Sequence, residues 1–120
     1  MIAPRMNVDD ALMAALDPIL PGCVFPNVYV GRESEYLVTS FTALPDVHTE
    51  NGPAAARYLV IVRYYLPTGK NPNPTKLRIQ RALYDQGFTW PSITPASDNE
   101  GQGWVFECEY MNAGGVYGFT

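Results

Sequence analysis

The spacing of apolar positions changes several times along the chain, and each change marks an element. Asn7 is a helix N-cap, with Asp9 and Asp10 in the first turn where negative charge suits the helix dipole. Leu12, Met13 and Leu16 then recur at near-helical spacing, and Asp17-Pro18 ends the pattern. After the Pro21-Gly22 turn, Cys23 to Val30 is β-branched and aromatic and predicts a strand, with Pro26 holding it to an edge or a bulge. Glu35 to Ala43 predicts a second strand, Tyr36, Val38 and Ser40 on one face and Leu37, Thr39 and Phe41 on the other. Leu44 to Pro53 has no period and predicts a polar loop.

Ala55 to Leu66 is the longest strand candidate. Tyr58, Val60, Val62 and Tyr64 face one way, Leu59, Ile61, Arg63 and Tyr65 the other. Both sets are largely apolar, which predicts a central strand covered on both sides. A loop with three prolines follows, from Pro67 to Pro74. Asn73 as N-cap and Pro74 as first residue then open a helix to about Gln86, closed by Gly87. Ile79, Ala82 and Leu83 lie on one side of it, Lys76, Arg78 and Arg81 near the other. Phe88 to Thr94 predicts a short strand interrupted by Pro91, and Asp98 to Gly103 a turn. Trp104 to Met111 alternates cleanly, with Trp104, Phe106, Cys108 and Tyr110 opposite Val105, Glu107, Glu109 and Met111. Residues 112–120 read as a flexible glycine-rich tail with two aromatics, Tyr117 and Phe119. The order α-β-β-β-α-β-β, without regular β-α-β alternation, predicts a single α+β domain with a mainly antiparallel sheet.

Composition narrows the function classes. The chain has 120 residues, 47% of them hydrophobic and only 17% charged. A free monomer usually carries about 25% charged residues, so part of this surface is expected to meet partners. The net charge of −4 argues against a nucleic-acid binder, which needs a basic footprint, and against attachment to anionic membranes. No stretch approaches the roughly 20 apolar residues of a membrane span, and Met1 to Arg5 lacks the apolar run of a secretory signal. Two cysteines, Cys23 and Cys108, are too few for a disulfide framework or a zinc site and read as reduced core residues. Synthesis in the cytosol fits this usage.

Candidate chemistry is sparse. His48, the one histidine, stands between Asp46 and Glu50 in the polar loop, with no nucleophile tied to it and too few neighbours for a metal site. Glu107 and Glu109 share a strand face. Such a pair can do general acid–base work, but it is also the ordinary wet side of an antiparallel strand. Gly114-Gly115 and Gly101-x-Gly103 lack the lysine and the strand-to-helix setting of a phosphate loop. Nothing calls for a cofactor or a metal. Five of the eight basic residues lie between Arg63 and Arg81, and Lys70, Arg78 and Arg81 are candidate contacts to acidic neighbours. These features suit an assembly subunit better than a catalyst.

Several phrases of sequence carry a resemblance: Gly22-Cys23-Val24-Phe25-Pro26-Asn27-Val28 after a short helix, Tyr36-Leu37-Val38-Thr39-Ser40-Phe41, the long strand Tyr58 to Tyr65, a helix ending at Gly87-Phe88, and the last strand Val105 to Tyr110. In this order, over about Asp9 to Tyr110, the chain resembles the tail-terminator or tail-completion proteins of long-tailed bacteriophages. The resemblance implies a structural virion protein, assembled in the host cytoplasm into a ring, usually a hexamer. Such a ring caps the tail tube, joins it to the head connector or neck protein, and lets DNA pass without reading it. An acidic lumen would let DNA slide, and the loop carrying Asp46, His48 and Glu50 is the candidate lining, since irregular loops project beyond a packed sheet. A neck or head-completion ring protein, a small enzyme using Glu107 and Glu109, and an adaptor without a virion role are the alternatives.

Tyr117 and Phe119 are candidate anchors to neighbouring subunits or to the tail tube, because a flexible segment with aromatics commonly orders on a partner. Deleting residues 112–120 should leave the fold intact and weaken ring formation or tail joining. Thermal melting together with sedimentation of the truncated chain checks this. Unchanged assembly would remove the tail from the interface, and failure to fold would place it in the domain itself.

Overall fold

A computed structural model gives the architecture and describes residues 7–28, 31, 34–44, 48–49, 52–53, 56–97 and 101–112. Helix α1 spans Val8–Leu16. Strands β1 (Val24–Pro26), β2 (Tyr36–Leu44), β3 (His48–Thr49), β4 (Gly52–Pro53) and β5 (Ala56–Leu66) follow, then helix α2 (Asn73–Asp85) and strands β6 (Ser92–Pro95) and β7 (Gln102–Asn112). The five longer strands form one sheet in the order β1-β2-β5-β7-β6, and β3 pairs with β4 in a separate two-stranded ribbon. The class is α+β and the sheet is mostly antiparallel, β1 alone running parallel to its neighbour β2.

Two short strands therefore lie where the sequence predicts only loop. Four residues are too few to show a period, and their ladder of His48 with Pro53 and Thr49 with Gly52 comes from main-chain pairing, which leaves no trace in apolar spacing. Asn112 also differs from the expectation. It belongs to β7, opposite Ala56, so the strand outlasts its clean alternation by one residue. The remainder of the predicted tail, including Tyr117 and Phe119, lies outside the described residues.

Both helices cover one face of the sheet. Val8, Ala11, Leu12, Ala15 and Leu16 of α1 and Ile79 and Leu83 of α2 share a core with Leu37, Val60, Val62, Tyr64, Phe106, Cys108 and Tyr110. Small residues Ala11 and Ala15 carry the buried stripe of α1, while Met13, expected on it, is exposed. Asn7 caps the helix as its sequence predicts: its Oδ1 accepts from the Asp10 amide at 2.9 Å, and its Nδ2 donates to the Asp10 carboxylate at 3.1 Å.

Helix α2 begins one residue earlier than predicted. Pro72 occupies the N-cap without a side-chain bond, and Asn71 Oδ1 instead accepts from the Asn73 amide at 3.1 Å. Gly87 closes the helix at φ 98°, a left-handed conformation that glycine alone takes without steric cost. Phe88 then donates back to the Leu83 carbonyl at 3.0 Å and is buried against Tyr110, ring centroids 4.6 Å apart. The last turn of α2 is thereby fastened to the central strands.

Prolines mark both rims of the sheet. Pro26 lies in β1 and Pro95 in β6, the two outermost strands. Among the described residues no helix is long and apolar enough to cross a membrane.

Cys108 is 4% exposed, and burial, with the nearby Glu109 charge, pushes its thiol pKa up to about 12. The reactive thiolate is therefore scarce at neutral pH. A thiol reagent should modify at most Cys23 in the folded chain and both cysteines in denaturant. Rapid labelling of both under native conditions would contradict this register of β7.

Candidate functional site

Pairing places every second residue of the sheet away from the helices. On β5 these are Arg57, Leu59, Ile61, Arg63 and Tyr65; on β7 they are Gly103, Val105, Glu107, Glu109 and Met111; on β2 they include Tyr36, Val38 and Ser40. The sequence predicts cover on both sides of β5, because both of its side-chain sets are apolar. Among the described residues the helices cover only the first set. Leu59, Ile61, Tyr65 and Val105 are half-buried, and Val38 on the same face is buried. Tyr36 and Tyr65 stack in tilted contact at 5.0 Å, and Phe25 meets Tyr36 edge-on at 6.4 Å.

The Glu107 and Glu109 pair, weighed above as an acid–base couple, separates by environment. Glu109 Oε1 accepts from Arg57 Nη1 at 3.3 Å, while Glu107 is exposed. Neither Glu107 nor Arg63 has an ion-pair partner among the described residues. No group of three histidine, cysteine or acidic side chains among the described residues is placed to hold a metal ion.

The basic residues singled out from the sequence have different surroundings. The ammonium of Lys70 is engaged by Glu35, which also accepts from the Tyr64 hydroxyl. Gln102 Nε2 donates to the carbonyls of Pro67 at 3.1 Å and Lys70 at 2.6 Å, so this knot ties the approach to β2, the end of β5, the proline-rich loop and the start of β7 together. Burial pushes the Glu35 carboxyl up, but the Lys70 and Tyr64 hydrogen bonds and the Lys70 charge outweigh it and hold the pKa below its ordinary value. Burial, and then the bond to Glu35, push the Tyr64 hydroxyl well up. Arg78 and Arg81 are exposed on α2 and edge a shallow groove of about 390 Å³, with Ala14, Pro18 and Ile19 on its α1 side.

The outward side of α2 carries more apolar surface than its sequence suggests. Leu77 is 46% exposed, Tyr84 57% and Trp90 50%. Leu77 and Tyr84 are two turns apart on one stripe, and Tyr84 meets Trp90 edge-on at 5.6 Å. The sequence signal was present: these positions fall off the stripe of Ile79 and Leu83. The loop residues Asp46 and Glu50 lie outside the described residues, and His48 is placed only through its backbone in β3.

No family model matches the chain, and no curated protein is similar to it. One solved structure, of a protein bearing a serial label in place of a functional name, is similar over 89% of this chain and 96% of its own, with a TM-score of 0.53 and 11% identity. At that identity the likeness concerns the fold alone.

The lowered Glu35 pKa sets an acid limb of stability. Above the ordinary value of 4.5 the carboxylate is charged in both folded and unfolded chains, and its stabilisation is fully present. As pH falls through the lowered folded value, that stabilisation is lost. Glu35→Gln should cost about 1 kcal/mol near neutrality and flatten the decline of the melting temperature between about pH 5 and pH 3. Parallel melting curves for native and variant chains over that range would contradict the assignment.

Proposed function

We propose that the chain is a structural subunit of the tail-terminator type, whose copies close into a ring, six in the form the resemblance implies. The ring caps a tail tube, meets a head connector and lets DNA pass without sequence recognition. The observation carrying this reading is the open face of the sheet. An antiparallel sheet that meets only water usually alternates apolar-in and polar-out; here the outward set of the central strand is Leu59, Ile61 and Tyr65 beside two arginines. Apolar side chains on a face that neither helix covers suit contact with another molecule. The net charge of −4 supports a lumen that repels phosphates, and the low charged fraction supports a subunit whose surface is largely shared.

Light scattering and negative-stain microscopy of the purified chain, alone and with tail tubes, test the reading. Discrete rings with a central opening that seat on one end of the tubes are expected. A chain that stays monomeric and ignores the tubes overturns it.

A further inference from the structure

Strand β1 covers only the first part of β2. Its ladder matches Val24, Phe25 and Pro26 to Leu37, Val38 and Thr39, and the last bond runs from the Asn27 amide to the Thr39 carbonyl at 2.6 Å. Asn27 then takes a φ of 67°, which turns the chain out of strand geometry. β2 itself continues to Leu44. The Leu37 amide donates to the Cys23 carbonyl on the β1 side, so every second residue after it, Phe41 and Ala43 included, turns its amide and carbonyl to that same border. Beyond the end of β1 these four backbone groups have no partner among the described residues, and Phe41, Thr42 and Ala43 are exposed.

Proteins usually blunt such a border with charge or proline. Ser40 to Leu44 has neither. The Phe41 ring, 38% exposed, meets Tyr58 edge-on at 5.5 Å and leaves apolar surface beside the bare backbone. An added strand would satisfy the backbone groups and cover that surface together. Residues 113–120, outside the described residues, follow β7 and carry neither charge nor proline. Tyr117 and Phe119 are two positions apart, so a strand would place both rings on one side. One register sets them beside Phe41 and Tyr58, and aromatic pairs on neighbouring strands are favourable.

We propose that residues 113–120 of one copy add as a strand to the uncovered stretch of β2, Ser40 to Leu44, of a second copy. The proposal rests on the reading above that the chain assembles with itself, and it names the contact. Register argues for a second copy rather than the same one. Asn112 ends β7 opposite Ala56, and Leu44 ends β2 opposite Arg57. The segment therefore leaves the sheet at the end where the 45–55 connection joins β2 to β5. To reach its own β2 border it would have to cross that connection, and connections at one end of a sheet do not cross. A neighbour's border carries no such bar. The segment and the border are different surfaces, so their contact joins copies head to tail, the type that closes into a ring when its rotation allows.

The test uses the full chain in two variants. Ala43→Pro removes one donor from the border and spares the ladder to β5, because that amide faces away from β5. Tyr117→Pro with Phe119→Pro removes both rings and two amides from the segment. Sedimentation measures assembly, and circular dichroism with melting checks the fold. Each variant should raise the concentration for half assembly at least about tenfold, while Ala43→Ser, which keeps the amide, should assemble as the native chain does. An equimolar mixture of the two variants retains one working pair, the segment of the Ala43→Pro chain on the border of the other. At the highest soluble concentration it should give one-to-one dimers that grow no further. Should Ala43→Pro fail to fold, Ala43→Lys, which keeps every backbone bond and sets a charge on the border, takes its place throughout.

Native-like assembly of either folded variant overturns the proposal. Sensitivity to the border variant alone assigns that border to another strand, the same border of a second copy included; sensitivity to the segment variant alone places the segment elsewhere. A mixture that stays monomeric overturns it as well, since each segment would then lie on its own chain. A native ring indifferent to both variants leaves the tail-terminator reading standing and removes only this contact. A native chain that never assembles removes both.

Discussion

Strand β5 is paired on both sides along almost its whole length, and its register decides which surface every neighbour turns to the helices. Val62 lies between Thr39 and Phe106, and Tyr64 between Leu37 and Trp104. Side chains alternate with period two, so a slip of one residue would move Val60, Val62 and Tyr64 out of the core and put Ile61 and Arg63 into it. Arg63 is the position that forbids the slip, since a guanidinium under α1 and α2 would be buried without a partner. The apolar character of both faces would otherwise leave the two registers close in energy. One charge on β5 thus secures an orientation on which the core, the open face and the placing of Glu107 all depend.

Local chemistry was legible in the sequence, and long-range chemistry was not. The Asn7 cap, the Gly87 stop and the alternation of Trp104 to Met111 are written in neighbouring residues, and each has its counterpart in the structure. The N-cap of α2 moved by one residue because Asn71, two positions back, reaches the amide that Asn73 was expected to serve. The ribbon of β3 and β4 leaves no trace in apolar spacing because strands of two residues are too short to show a period. The Glu35, Tyr64 and Lys70 knot joins residues far apart in the chain, and no spacing rule connects them. The outer set of β5 is apolar, as its sequence predicts, and among the described residues both helices lie over the other set. Periodicity reports which residues share a face, and it is silent on what lies above that face.

The same distinction bears on function. The polar groups that converge, Glu35, Tyr64 and Lys70, bind one another, whereas apolar side chains recur on both outer sides of a two-layer domain. The Glu107 and Glu109 pair illustrates the difference. Viewed in sequence it is a symmetric couple; in the fold one carboxylate answers Arg57 and the other faces outward. Arg81, one of three basic residues singled out from the sequence, is exposed on α2 with Arg78 and Asp85 beside it on the groove, while Lys70 is taken up by an internal bond. Similar side chains on one chain thus serve cohesion in one place and stay exposed in another.

The prolines at the two rims of the sheet have a consequence for how copies of this chain can meet. A bare outer strand offers unsatisfied amides and carbonyls that template a further strand, the first step toward cross-β fibrils. Pro26 in β1 and Pro95 in β6 each remove an amide donor from the strand that would have to act as template. Growth by backbone addition is interrupted along β1 and β6, and β2 offers a docking strand only the short stretch beyond Pro26. A chain with so few charges to keep it in solution gains from this arrangement a safeguard against runaway polymerisation.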